Sequence, residues 1–326
     1  MAATKADVCL VLSKNMKQYI DTKYGVDSVL FANGIDKPEK HDADIIKDKY
    51  GLEKDSYILS LGRIVPEKGL QYLIVCDRNN LLRKYPKYVF DITCFLYRFA
   101  DVVCVQTNEM KSFYPQYLQK KIVVLENPLD FDEMAAQCKG QNIEKENTVI
   151  SVGRLEKQKD FVTLIKAYKK VAALYPDWKL KIYGQGNRKD ELQGLIEREN
   201  LTTNIRLCGV THTPFLEMKK AKIFVLSSFY EGFPNVLCEA MHAGLPCVST
   251  KCECGPSELI NDGKNGFLVQ IGNINQMAEK IIALIENEKL RSSMGEEAER
   301  STERLSREVI CQKWRELAYR VSGEVQ

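Results

Sequence analysis

The sequence predicts an α/β fold in which helices cover both faces of a parallel sheet. From about residue 147 to 287, short apolar segments alternate with helical patterns, as is typical of parallel sheets. Glycine-containing turns follow several apolar segments, at the edge where sheets of this class bind ligands. The predicted strands lie near 147–152, 179–183, 204–207, 222–226, 246–249 and 266–269.

Helices are predicted between these strands and after the last of them. The last two are highly charged, and no low-complexity linker interrupts the chain. The sequence therefore predicts one domain over 147–326, preceded by a smaller α/β lobe over 1–146. The predicted helices lie near 160–174, 188–199, 213–219, 235–243, 273–287, 290–300 and 305–320.

The upstream lobe contains an internal repeat. One set of matches is 94 positions apart, and a second set is 91 apart, so a three-residue length change separates them. Two copies are too few for a solenoid, and a partial duplication is the simpler interpretation. A helical segment over 77–99 follows the first copy. The matches are Ala6-Asp7-Val8 with Ala100-Asp101-Val102, Met16-Lys17 with Met110-Lys111, Asn33 with Asn127, Gly62-Arg63 with Gly153-Arg154, and Lys68 with Lys159.

Composition is that of a folded globular protein. The chain has 326 residues, which is long enough for two domains. Of these residues, 44% are hydrophobic and 28% are charged. A formal net charge of +3 is too small to indicate nucleic acid as a partner. No apolar run approaches the roughly 18 residues of a membrane-spanning helix, and Met1 to Lys5 has no apolar signal core.

The metal-binding residue types do not form a recognisable site. Eleven cysteines lie in apolar segments, which indicates reduced thiols and a cytoplasmic location. Cys252 and Cys254 are close together, but two matching ligands are missing and the chain has three histidines. We therefore expect no metal and no cofactor.

The most informative segment is Tyr230 to Glu239, which runs from a strand through a glycine turn into a helix. Pro234 suits the first helical position, and Gly244 is placed to end the helix. The free N–H groups and the helix dipole predict a phosphate site. Glu231 and Glu239 bracket it and suit sugar hydroxyls, although a capping carboxylate and an exposed helical glutamate are the alternative interpretation.

Glycines mark two further turns after predicted strands. Gly184 and Gly186 follow one strand, so the backbone there can approach a ligand closely. Gly209 follows the next strand. For all three, an ordinary strand-to-helix turn is the alternative. His242 lies three residues after Glu239 and is interpreted as a packed or an exposed histidine.

Taken together, these segments resemble the group 1 retaining glycosyltransferases, whose GT-B architecture has two Rossmann-like domains facing across a cleft. The match covers about 147–287, the donor-binding domain. Any one of its motifs alone would be weak, but here order and spacing are intact. They are Gly153-Arg154 with Lys159, Tyr183-Gly184-Gln185-Gly186, Glu231 to Glu239, and Gly255-Pro256-Ser257-Glu258 followed by Asp262 to Val269.

The resemblance assigns roles to residues of this chain. It implies that Arg154 and Lys159 hold the donor's diphosphate, where fixed cations stabilise the charge on the leaving group; two solvated surface cations are the alternative. It implies that Glu231 faces the donor sugar and Glu239 the ribose hydroxyls. Arg63 and Lys68 share the spacing but lack the following carboxylate pair, and we interpret them as a remnant. The remaining predicted donor-binding residues are Gly153, Gly184, Gly186, Gly209, Gly232, Phe233, Pro234, Asn235, Val236 and Leu237.

The resemblance implies a retaining glycosyltransferase that uses a nucleotide sugar, a UDP-sugar first of all, and a glycan or lipid-linked acceptor. Such an acceptor would bring the chain to the inner membrane face. The family's complete N-terminal domain and its histidine near the reacting sugar have no counterpart in 1–146, since His41 lies in a charged connector. Two alternatives therefore stay open: a nucleotide-sugar-binding subunit or relic without turnover, and a nucleotide-sugar epimerase.

Overall fold

The computed structural model describes residues 94, 95 and 97–322, together with four short strands upstream. The chain divides into two units, residues 1–58 and 59–326, and each is described by itself. Most of the lobe predicted over 1–146 therefore lies outside the described residues. Of the helix predicted over 77–99, residues 94, 95 and 97–99 are described; 94, 95 and 97 are helical, whereas 98 and 99 form a turn.

The strands upstream of the large sheet reproduce the repeat in their pairing. In the first unit, β1 (Leu10–Val11) pairs in parallel with β2 (Val29–Leu30), with Leu10 opposite Val29. Exactly the same pairing recurs 94 positions later, where Cys104 lies opposite Val123. The duplication seen in the sequence is thus also a duplication of strand register.

The second unit begins with a four-stranded sheet in the order β3-β4-β5-β6. The strands β4, β5 and β6 are parallel, whereas β3 runs antiparallel to β4. The bounds are β3 Ser60–Leu61, β4 Ile74–Cys76, β5 Val102–Val105 and β6 Ile122–Val124, and helix α1 (Asn108–Ser112) connects β5 to β6 through a 3-10 turn, Gln119–Lys121.

The six-stranded sheet is entirely parallel and has the order β12-β11-β10-β7-β8-β9. All six predicted strands are present, and the predicted bounds of two of them agree to the residue. The observed bounds are β7 Thr148–Val152, β8 Lys179–Tyr183, β9 Ile205–Gly209, β10 Ile223–Leu226, β11 Cys247–Thr250 and β12 Gly266–Val269.

Helices cover both faces of this sheet, which confirms the predicted fold class. Successive strand residues point to opposite faces, so Val149 packs with the helices of one face and Ile150 with those of the other. Two short helices, α2 and α7, were not predicted. The helices are α2 Phe131–Cys138, α3 Phe161–Leu174, α4 Lys189–Arg198, α5 Pro214–Lys220, α6 Asn235–His242, α7 Pro256–Leu259, α8 Ile274–Glu286, α9 Glu288–Ser301 and α10 Arg307–Ser322.

The last helix returns to the four-stranded sheet. Leu317 of α10 is buried in one apolar cluster with Val102, Cys104 and Leu125. Ion pairs join the segment after β6 to the same end of the chain, between Glu126 and Arg304 and between Asp130 and Arg307. None of the helices among the described residues has the length and apolarity required to cross a bilayer.

Candidate active site

The candidate site lies where the strand order of the large sheet reverses. The chain runs outward from β7 through β8 to β9 and then returns to β10 on the other side of β7. In sheets of this class the crevice beyond the carboxyl ends of the strands at such a point binds ligands. The predicted residues Gly153 and Arg154 follow β7, and the segment 227–232 follows β10.

An ion pair joins these two segments. Lys159 Nζ lies 2.7 Å from Glu231 Oε1, and the side chains are only 13% and 7% exposed. Ser228 Oγ donates a second hydrogen bond, of 2.6 Å, to the same carboxylate oxygen. The structure therefore brings together two residues that the sequence assigned to catalysis, with the glutamate fixed by two donors.

Hydrogen bonds hold the two segments side by side behind this pair. Ser227 Oγ donates to Lys159 O at 2.6 Å, and Phe229 N donates to Gln158 O at 2.8 Å. The Gln158 side chain donates in turn to Tyr230 O at 2.9 Å. Lys159 is thus positioned by both its backbone and its ammonium group.

Arg154 has a different setting from Lys159. Its side chain is 62% exposed, and its guanidinium contacts Glu156 at 3.4 Å and Gln158 Oε1 at 3.4 Å. Because Gln158 also bonds Tyr230 O, one side chain links Arg154 to the 230–239 segment. The two predicted diphosphate ligands therefore flank one crevice, with Lys159 held inside it and Arg154 at its exposed edge.

Three of the predicted glycines pack against the turn after β7. A Cβ on Gly184, where φ is +148°, would lie 1.9 Å from Gly153 O, and one on Gly186 would lie 2.4 Å from Leu155 O. A Cβ on Gly153 would lie 3.2 Å from Lys159 Cε. These glycines let the two turns and the lysine side chain approach one another closely. Their predicted contact with the donor stays a prediction.

Gly209 differs from the other three. Its φ is +74°, a left-handed conformation that glycine adopts readily, and a Cβ would meet nothing within 4 Å. Its carbonyl accepts the Gly184 N–H at 2.7 Å. The open space beside it agrees with a role at the ligand, which stays a prediction.

Helix α6 begins at Asn235, so Pro234 precedes the first helical residue instead of occupying it as predicted. The structure shows no side-chain hydrogen bond capping this helix start. Asn235 N donates to Phe233 O and Leu237 N to Pro234 O, both at 2.9 Å. Two of the three predicted phosphate donors therefore have backbone acceptors in this state.

The remaining residues of the 230–239 segment mostly serve packing. Leu237 is fully buried, and Phe233 and Val236 pack against the same apolar cluster. Gly232 is half-buried, and its carbonyl would lie 3.3 Å from a Cβ on Gly255. At these positions, only backbone groups remain for ligand contact. Gly244 has φ of +73° and ends the helix as predicted.

Glu239 lies half-buried on α6. Burial raises the pKa of its carboxyl above the usual 4.5, and the negative charge of Glu133 on α2 raises it further. Sequence reasoning missed Glu133 because it missed α2. Asp130 caps that helix by accepting a hydrogen bond from Glu133 N at 3.1 Å, and the Asp-x-x-Glu spacing is a helix-start signal that could have revealed it.

Two neighbouring groups complete the electrostatic setting. Burial, with the charge of Glu231, raises the pKa of the Cys252 thiol to about 12, so this cysteine is neutral at physiological pH. His242 stacks on Phe131, with ring centroids 3.9 Å apart, and burial lowers its pKa below 6.5. Of the two settings predicted for His242, packed or exposed, this contact supports the packed one.

A family model described as glycosyl transferases group 1 matches residues 135–301, half of the chain. An uncharacterized glycosyltransferase of Methanocaldococcus jannaschii is 30% identical over 79% of this chain and 74% of its own length. The chain belongs to the group 1 glycosyltransferases. The resemblance seen in its motifs is thereby confirmed.

Further relatives carry more specific names. The N-acetylgalactosamine-N,N'-diacetylbacillosaminyl-diphospho-undecaprenol 4-alpha-N-acetylgalactosaminyltransferase of Campylobacter jejuni is 31% identical over 74% of this chain and 67% of its own. A TarM variant from S. aureus, solved with Fondaparinux, alpha-GlcNAc-glycerol and UDP, is 30% identical, with a TM-score of 0.63 over 72% of this chain. The chain spans 46% of that protein.

The fold is shared more widely than the sequence. Anabaena HepE, solved with UDP and glucose, is 22% identical, with a TM-score of 0.66 over 76% of this chain and 71% of its own. These neighbours are GT-B glycosyltransferases, and the six-stranded sheet corresponds to the predicted Rossmann-like domain. Within residues 94–322 as described, no group of three metal-binding side chains is found.

Proposed function

We propose that this chain transfers a sugar from a nucleotide sugar, specifically a UDP-sugar, to a glycan or lipid-linked acceptor with retention of anomeric configuration. The observation that carries the proposal is the ion pair of Lys159 with Glu231 at the point where the strand order reverses. It lies in a chain of the group 1 family, beside the start of α6.

In the proposed reaction, the bond from the anomeric carbon to the diphosphate breaks and a bond to an acceptor hydroxyl oxygen forms on the same face. The hydroxyl proton leaves with the diphosphate. An ammonium has three donors, so Lys159 can hold both Glu231 and a phosphate oxygen. Arg154 reaches the diphosphate from the exposed edge, and the two cations stabilise the growing negative charge.

Glu231 would face the donor sugar and Glu239 the ribose. Glu231 is fixed by Lys159 and Ser228, so its second oxygen is oriented for a sugar hydroxyl. We also propose that no metal or cofactor takes part, because Arg154 and Lys159 provide the charge that a metal would supply.

The choice of UDP is supported by TarM, 30% identical, whose structure was solved with UDP. The lipid-linked acceptor is supported by the name of the Campylobacter jejuni relative. We propose accordingly that the reaction takes place in the cytoplasm at the inner membrane face, where a net charge of +3 favours an anionic surface.

The test compares the two copies of the Gly-Arg signature. We expect Arg154→Ala with Lys159→Ala to weaken UDP binding by about 100-fold or more, since each removes a charge-assisted contact. The matched control is Arg63→Ala with Lys68→Ala, which should leave the affinity unchanged. Isothermal titration with UDP, GDP and ADP measures both the affinity and the base preference. Unchanged UDP affinity in the first double variant contradicts the proposal.

A nucleotide-sugar-binding subunit without turnover is the second candidate. Donor hydrolysis and sugar transfer by the purified chain separate the two. Turnover by the chain alone excludes the subunit, whereas UDP binding without turnover, restored by a partner protein, supports it.

A further inference from the structure

A pair of carboxylates joins the four-stranded sheet to the large domain. Glu258, on α7, accepts hydrogen bonds from Asn108 N at 3.0 Å, Asn108 Nδ2 at 2.9 Å and Glu109 N at 2.9 Å. In return, Glu109 Oε2 accepts the Cys254 N–H at 2.6 Å. The Glu258 carboxylate thereby satisfies N–H groups at the start of α1 that have no partner within the helix.

A relay of amides makes a second connection. Gln106 Nε2, at the end of β5, donates to Asn127 Oδ1 at 2.7 Å, and Asn127 Nδ2 donates to Asn235 Oδ1 at 2.9 Å. Gln106 is only 6% exposed, so its amide is fixed by burial. The relay ends on the first residue of α6, the helix that begins the candidate donor site.

Both connections contact the 231–235 segment. The loop held by Glu109 and Glu258 packs against Pro234, since a Cβ on Gly255 would lie 2.3 Å from Pro234 Cδ. Glu253 O in this loop accepts the Glu231 N–H at 3.4 Å. Cys254 is fully buried in the apolar cluster of β5 and α1, together with Val103 and Met110. The 253–258 loop therefore contacts both the apolar cluster of β5 and α1 and the 231–234 segment.

The first copy of the repeat has different residues at the equivalent positions. At 94 positions upstream, Leu12 corresponds to Gln106, Lys14 to Asn108 and Asn15 to Glu109. It therefore has neither the buried amide nor the carboxylate that hold the loop, although Asn33 corresponds to Asn127. The connecting residues Gln106, Asn108 and Glu109 therefore have no counterpart of the same type in the first copy.

We infer that Glu258 and Asn127 are positioning residues, which fix the 231–239 segment for the donor by anchoring it to the β5–α1–β6 unit. The expected effect on nucleotide affinity rests on the proposed function. The anchoring of the 231–239 segment does not. Glu258 acts through the 253–258 loop on Pro234, and Asn127 acts directly on Asn235. Neither contacts the Lys159–Glu231 pair.

The test measures hydrogen exchange in the ligand-free protein. Glu258→Gln places an amide donor opposite backbone N–H donors, and Asn127→Leu removes both relay bonds at similar volume. We expect amides in residues 231–242 to exchange about tenfold faster in each variant, while those of β7 keep the wild-type rate. The control is Glu199→Gln, which removes a surface ion pair with Lys169, and it should change neither region.

Unchanged exchange in 231–242 for both variants overturns the inference. Faster exchange throughout the chain, β7 included, overturns it too, because it indicates general destabilisation. In a second arm, we expect UDP affinity to fall roughly threefold to tenfold in each variant, since a lost hydrogen bond is only partly transmitted to the ligand. If the wild-type chain binds no nucleotide, the proposed function fails, while the exchange arm still decides the positioning role.

Discussion

Residues 62–69 and 153–160 carry the same Gly-Arg signature with a lysine five positions after the arginine, and in the sequence they follow strands of different sheets. The second signature follows β7, which lies between two parallel neighbours, and β10 delivers Glu231 to Lys159. The first follows β3, which has an antiparallel neighbour. The comparison teaches that the same signature can follow strands of different pairing, and that in the second copy the neighbouring strand β10 brings a carboxylate to its lysine.

The other pair of repeated segments also shares its backbone arrangement and differs in its contact residues. Residues 10–30 and 104–124 share strand register, but only the second copy has Gln106 and Glu109 for contact with the large domain. Backbone geometry was retained while contact residues differ.

The largest expected effect concerns the two repeated lysines. Lys159→Met leaves the buried Glu231 carboxylate without its cation, and we expect the free energy of unfolding to fall by about 3–5 kcal/mol. Lys68→Met should change it by no more than about 0.5 kcal/mol. Urea denaturation measures both. Adding Glu231→Gln to Lys159→Met should recover most of the loss, and an equal loss from the two lysine variants would contradict the comparison.

The next effect concerns two glycine turns, at Gly184 after β8 and at Gly209 at the end of β9. Gly184→Ala forces a Cβ to within 1.9 Å of Gly153 O, so we expect a loss of about 3 kcal/mol or more. Gly209→Ala meets open space and should cost only the strain of its positive φ, about 1–2 kcal/mol. Thermal unfolding of the two variants decides. Equal losses would show that packing against Gly153 has no special weight.

A smaller effect concerns Glu239. The first copy has no segment equivalent to 231–239. Because its native pKa is raised above 4.5, the folded state binds the proton more tightly, and this group's contribution to stability is lost as pH rises above 4.5. Glu239→Gln should therefore raise the melting temperature at pH 7.5, with a gain that shrinks toward pH 4.

The same variant should weaken UDP binding about tenfold, by loss of charge-assisted hydrogen bonds to the ribose. Melting curves and titrations from pH 4 to 8 provide both readings. A gain in melting temperature that grows as pH falls would have the wrong sign for a carboxyl with a raised pKa.

The smallest effect compares Asp160 with Gly69, which stands 91 positions upstream. Asp160 has φ of +44° and caps α3 by accepting the Thr163 N–H at 3.3 Å. Asp160→Gly loses the cap but relieves the backbone, so we expect a net change within about 0.5 kcal/mol. Asp160→Ala loses the cap and keeps the strain, which predicts a loss of about 1–2 kcal/mol. Chemical denaturation resolves the difference, and a smaller loss for alanine than for glycine would refute this account.

Local pattern was enough to predict the large sheet. The strand Lys179–Tyr183 alternates lysines with apolar residues and ends before Gly184, and Gly266–Val269 is a short apolar segment between Asn265 and Gln270; the bounds of both were predicted to the residue. Helix α2 was missed because it has little apolar periodicity, with Met134 its one fully buried residue. Its start signal at Asp130 was overlooked.

The candidate residues were predictable, but their partners were not. Lys159 and Glu231 are 72 positions apart, and their contact depends on β7 and β10 being neighbours. Glu258 was recognised only as part of a family motif, whereas its carboxylate reaches a helix 150 positions upstream. Such pairings follow from sheet order and from packing between the two sheets, neither of which a local pattern encodes.

The return of α10 has a consequence for how the protein is made. Leu317, which buries Val102, Cys104 and Leu125, lies beyond every strand of the large sheet. A ribosome synthesises the chain from its amino terminus, so this apolar face of β5 stays exposed to solvent until α10 has emerged. The smaller sheet, although it comes earlier in the chain, therefore gains this part of its core only after the larger sheet has been synthesised.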